Sequence, residues 1–156
     1  MKNLSVIKSL PNQLPCNIEA EQAVIGSVLV SNDIYDDVTD VINHDKFFDP
    51  IHAKIFTAIE NLIAKGLLAN PITLKNYFEN DAGLKELGGQ EYLVKVTKFS
   101  TSVRQAKEYA QIISDMHVRR ELIRISESVL DKANSKEFGL SGENIIQNTE
   151  KSLYEL

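Results

Sequence analysis

Residues Ser102–Ala133 read SVRQAKEYAQIISDMHVRRELIRISESVLDKA, and the reading of this stretch decides the fold. It holds neither Pro nor Gly, so no residue in it forces a helix to break. Apolar residues recur at helical spacing: Val103, Ala106, Ala110 and Ile113, then Leu122, Ile123, Val129, Leu130 and Ala133. A continuous helix over these positions is roughly 45 Å long at about 1.5 Å per residue. Helices of globular domains average only about 11–12 residues. So long an amphipathic helix cannot bury its stripe on a small core alone. It calls for a second helix, a second subunit or another protein. A return helix capped by Ser141, with Ile145, Ile146, Leu153 and Leu156, supplies part of that cover. It is about half as long as its partner, so the rest of the stripe is expected to meet another chain.

Upstream, the sequence breaks into shorter helical pieces. Asn17 is a strong N-cap for the run IEAEQAVIGSVLV, and Glu19 and Glu21 in its first turn suit the helix dipole. Gly26 inside that run lowers helix stability by about 1 kcal/mol relative to Ala, which points to a close helix crossing. Ser31-Asn32-Asp33 ends this helix and opens the next, whose apolar face is Ile34, Val38, Val41 and Ile42. The acids Asp33, Asp36, Asp37 and Asp40 lack the Gly and terminal Glu of a calcium loop and read as a solvated face. Asp49-Pro50 starts a third helix with the stripe Ile51, Ile55, Phe56, Ile59, Leu62 and Ile63, and Gly66 stops it. Phe47 and Phe48 are expected to tuck beneath it, and His52 to be packed or half exposed. A helix from Thr73, a loop at Asp81–Gly83, a Gly88-Gly89 stop and a short helix with Tyr92, Leu93 and Val96 complete this part. No alternating strand pattern occurs. The expected fold is all-α: a compact helical bundle followed by a long helical hairpin. The expected divisions are a flexible leader over 1–14, a globular helical head over 15–100, and a helical hairpin for dimerisation over 101–156.

Composition narrows the function. The 156 residues are 43% hydrophobic and 25% charged, with a net charge of −5, and no stretch forms the basic footprint that nucleic-acid binding requires. No apolar run is long enough to span a membrane, and the first residues do not read as a secretory signal. The single Cys16 fits a reducing compartment, so a cytoplasmic protein is expected, with Cys16 a surface or packing residue. No phosphate-binding loop, dinucleotide fingerprint, HExxH, serine elbow or Cys-His cluster is present. His44, His52 and His117 lie on separate elements, and no carboxylate stands in a strongly apolar sequence context. Composition and spacing yield no catalytic residue and no metal site. They favour an assembly or adaptor domain.

Five blocks in order resemble a known family. NIEAEQAVIGSVL (17–29), FFDPIHAKIFTAI (47–59), NPITL (70–74), GGQEYL (88–93) and YAQIISDMHVRRELI (109–123) are similar to the N-terminal domain of bacterial replicative DNA helicases, the DnaB family. The resemblance runs from about Leu14 to the C-terminus. Leu67-Leu68-Ala69 departs from it, standing where polar residues are usual. It implies a helical head and hairpin, hairpins paired between subunits, and six copies in a collar built as a trimer of dimers. It also implies docking of the C-terminal domain of primase. DNA contact, 5′-to-3′ movement, ATP and magnesium belong to a motor domain; this sequence has no motif to hold a cofactor. The implied contact residues for primase or for the subunit interface are Tyr92, Ile113, Arg120, Ile123 and Val129. Plainer readings stand beside them. Tyr92 can be a core tyrosine, Ile123 and Val129 can pack within one hairpin, and Arg119, Arg120 and Arg124 can form a solvated basic patch. A primase-type helicase-binding domain and a single-stranded DNA-binding module are the alternatives; the order of the blocks opposes the first and the charge opposes the second.

Overall fold

Short polar side chains open most of the helices, and their positions set the architecture. The computed structural model describes residues 13–156; nearly all of the expected leader, residues 1–12, lies outside the described residues. Helix α1 (Ile18–Val30) starts where Asn17 Oδ1 accepts a hydrogen bond from the Ala20 amide at 2.9 Å. After α2 (Ile34–Thr39) and a 3₁₀ turn (His44–Lys46), Asp49 caps α3 (Pro50–Ala64) through the Ile51 amide. Asn70 and Thr73 form a reciprocal capping box on α4 (Pro71–Phe78). Asp81 caps α5 (Ala82–Glu86) and Ser141 caps α8 (Gly142–Tyr154). Between them lie α6 (Gln90–Thr97) and the 32-residue α7 (Val103–Asn134). No strand occurs among the described residues, and none of the helices there is long and apolar enough to cross a membrane.

The chain divides into two compact units, one over Asn17–His117 and one over Val118–Leu156 with the segment ending at Cys16. The division falls inside α7, not at residue 100 as the sequence suggests. The reason is that Ala106, Ala110 and Ile113 belong to the head's own buried cluster. The first half of the long stripe is therefore covered by the head itself. The helix also carries no single stripe. At about 100° per residue, Leu122, Val129 and Ala133 lie more than a quarter of a turn from Ala106, Ala110 and Ile113. Val103, Leu122 and Leu130 are exposed, while Ile125, absent from the expected stripe, is buried.

Inside the head, α1 is central, and its apolar residues are buried almost all round. It meets α6 closely: a Cβ on Gly26 would collide with the Val96 carbonyl. Glycine is what the crossing requires, as the sequence suggests. Phe47 packs on Phe56 of α3 with ring centroids 4.9 Å apart and ring planes tilted by 37°. Gly66 (φ +72°) ends α3 in the left-handed conformation, with Leu67 donating back to Leu62 at 2.9 Å. Asn32 then clamps the following loop. Its amide donates to the Ala69 carbonyl at 2.8 Å and its carbonyl accepts from the Ala69 amide at 2.9 Å. The expected loop at Asp81–Gly83 is instead the cap and first turn of α5, because Asp81 satisfies the Leu84 amide at 3.0 Å.

Candidate interaction surface

The hairpin unit buries very little. Ile125 is its one buried apolar residue among those described, and α8 buries none. Leu122, Leu130, Phe138, Ile146, Leu153, Tyr154 and Leu156 are all exposed, Ile146 to 59% and Tyr154 to 93%. α7 and α8 enclose an apolar groove lined by Leu122, Ile125, Val129, Leu130, Ala133 and Leu153, with Ser126 and Thr149 on its walls. Both hydroxyls donate to carbonyls on their own helix, Ser126 to Leu122 and Thr149 to Ile145, each at 2.7 Å. They leave no unmet donor in the groove, so its surface is effectively apolar. The other side of the same helix pair is polar, with Arg124, Ser128, Lys132, Asn148 and Ser152. There Glu121 binds the Arg124 guanidinium through both Nε (3.0 Å) and Nη2 (2.8 Å) and pushes its pKa upward. One face is thus polar, and the other presents contiguous apolar side chains, the kind of patch that marks an interaction surface.

The five residues singled out from the sequence fall into two groups. Val129 lines the groove, Ile123 is half-buried beside it in the chain, and Arg120 is half-buried and donates from Nη1 to the Pro15 carbonyl at 2.8 Å. Tyr92 and Ile113 are buried in the head, and this corrects their assignment as contact residues. Ile113 is enclosed by the head's apolar cluster. Tyr92 is drawn inward by hydrogen bonds to its hydroxyl, from Gln22 at 3.3 Å and with His52 Nε2 at 2.6 Å.

That hydroxyl leads to a polar cluster that local sequence does not announce. His52 is wholly buried, so the packed reading holds and the half-exposed one does not, and its Nδ1 lies 2.6 Å from Glu21 Oε2, a carboxylate only 2% exposed. Glu21 also accepts from the backbone amides of Phe48 and Asp49. It serves the start of α3 and not its own helix, and it is a carboxylate in a deeply apolar setting after all. Tyr92 is 7% exposed. Burial raises its phenol pKa, with the Asp49 and Glu21 charges acting in the same sense and the Gln22 hydrogen bond opposing them. Carboxylate, imidazole and hydroxyl in series resemble a nucleophile relay. Here all three groups sit in the core, where no substrate reaches them.

With these surfaces defined, comparison with known proteins gives a consistent result. The profile of the "DnaB-like helicase N terminal domain" matches residues 13–115. The replicative DNA helicase DnaB of Rickettsia typhi is 38% identical over 148 residues, which is 95% of this chain and 30% of that protein. DnaB of Pasteurella multocida is 32% identical over 143 residues. The chain spans about 30% of the length of these relatives. The crystal structure of the N-terminal domain of DnaB helicase from Mycobacterium tuberculosis superposes with a TM-score of 0.82 at 24% identity. It covers 92% of this chain and all of its own, and at that identity it bears on the fold alone.

Proposed function

The chain belongs to the DnaB-like helicase N-terminal domain family, and from that premise we propose that it is the assembly and primase-docking domain of a hexameric replicative DNA helicase. The hairpin pairs with the hairpin of a second copy, and pairs assemble as a trimer of dimers. The remaining hairpin surface receives the C-terminal domain of primase, linking primer synthesis to unwinding in primosome formation. ATP hydrolysis with magnesium, 5′-to-3′ movement and DNA contact fall to the motor part of a longer protein, which acts in the cytoplasm.

The observation that carries this reading is the hairpin's apolar groove, flanked by exposed Leu122, Leu130 and Leu153. Fully burying one such side chain stabilises by about 1.5–3 kcal/mol, so covering the exposed half of each is worth on the order of 1 kcal/mol. A symmetric pair counts each side chain twice. Sedimentation of the chain over a concentration series should show a reversible dimer or larger assembly. A pull-down with the primase C-terminal domain should retain it. A strict monomer that primase does not retain contradicts the reading.

A further inference from the structure

The buried Glu21–His52–Tyr92 series has a directionality that its hydrogen bonds determine. Gln22 Nε2 donates to the Tyr92 oxygen at 3.3 Å, so the tyrosine's own O–H must find an acceptor elsewhere. His52 Nε2, at 2.6 Å, is its remaining partner. An imidazole protonated at Nε2 would point a second N–H at the phenol oxygen and strand the O–H in an apolar core. A buried donor left without an acceptor is strongly disfavoured. At the other end of the ring, Nδ1 faces the Glu21 carboxylate at 2.6 Å, and a carboxylate only accepts. Both ends therefore select one arrangement: the proton on Nδ1, the lone pair on Nε2. The carboxylate is itself held by the Phe48 and Asp49 amides ahead of α3.

The tyrosine lies in the first turn of α6, a helix of eight residues whose start at Gly89 has no side-chain cap. So short a helix does not hold its own conformation in water. Leu93 and Val96 pack its inner face, and its outer face carries exposed Glu91, Val94, Lys95 and Lys98.

We propose that Glu21, His52 and Tyr92 form a tautomer relay that fixes the pose of α6. The Glu21 carboxylate keeps the proton on His52 Nδ1, and the free Nε2 then anchors the Tyr92 hydroxyl at the uncapped end of the helix. Tyr92 and His52 are thus positioning residues. They determine where the outer face of α6 is presented without touching anything that binds there.

The test combines ¹⁵N shifts of the His52 ring with amide exchange in the 156-residue chain. The folded wild type should show a neutral ring with its proton on Nδ1. Tyr92→Phe should lower protection of the α6 amides roughly tenfold, the loss expected for one buried hydrogen bond, and leave α2 unchanged. Glu21→Gln should mix the tautomers and lower α6 protection to a similar extent. The double variant should lose no more than either single one, because both break the same relay. A ring protonated at Nε2 or at both nitrogens overturns the proposal, as do additive losses. If Glu21→Gln does not fold, the wild-type ring and Tyr92→Phe still decide: unchanged α6 protection in Tyr92→Phe also overturns it.

Discussion

The head and the hairpin are built from similar helices but solve the burial problem in opposite ways. The head encloses Ile25, Ile55, Phe56, Ile59, Leu74 and Leu93 completely and also buries the polar side chains of Glu21 and His52. It can do so because α1 is apolar nearly all round, Gly26 lets α6 approach it, and Asn32 ties the α3–α4 loop down. The hairpin has two helices, one buried apolar residue among those described, and an apolar groove open to its surroundings. The difference between the two units is therefore one of core completeness and not of helix content. A polar residue such as Glu21 is tolerated where every lone pair finds a donor. An apolar face such as that of Leu122, Leu130 and Leu153 is tolerated when another surface covers it.

The largest effect should come from breaking the head. Phe56→Ala removes a wholly buried ring packed on Phe47 and should lower stability by about 3–5 kcal/mol, read by urea unfolding. Such a loss would dismantle the head in many variants of a domain this size. Next, Leu130→Asp with Leu153→Asp places charge in the groove. It should weaken self-association roughly a hundredfold, since each site acts twice in a symmetric pair, with the urea midpoint of the head unchanged. Loss of the head in that variant would contradict the division of labour.

A smaller effect concerns alkaline pH. Burial raises the phenol pKa of Tyr92, and that of Tyr35, above the ordinary value of 10.0. A folded-state pKa above the unfolded one means that the folded head holds these protons more tightly. The resulting stabilisation is complete below pH 10 and is lost as pH rises from there through the folded values. Tyr92→Phe should flatten this alkaline limb in unfolding curves collected across the range, and an unaltered limb would show that Tyr92 does not produce it. The smallest effect lies at the half-buried Asp81, whose carboxyl is held below its ordinary 3.8 by the Leu84 amide and by Lys54. Its contribution is present above that ordinary value and disappears as pH falls through the folded one. Asp81→Asn should reduce the acid dependence of α5 amide exchange and leave the rest of the head alone.

Much of this contrast was legible in the residues. Asn17, Asp49-Pro50 and Ser141 mark helix starts because capping chemistry is local, and Gly26 betrays a crossing because little else explains glycine in so apolar a helix. The five blocks carried the family. What stayed hidden was long-range. Glu21 reads as an acid suited to its own helix dipole, yet its partner His52 is 31 residues away, and His52 is a further 40 from Tyr92. Ile125 sits between Arg124 and Ser126 and attracts no notice until α8 is in place. The boundary within α7 was invisible because helical period does not say which of two cores a residue joins.

The central claim is that the hairpin depends on a partner and the head does not. Amide exchange measured over a concentration series addresses it directly. Protection over 118–134 and 142–154 should rise as the chain is concentrated, while α1, α3 and α6 keep the same protection throughout. Hairpin protection that is high and constant down to the lowest concentration, in a chain that sediments as a monomer, would contradict the claim.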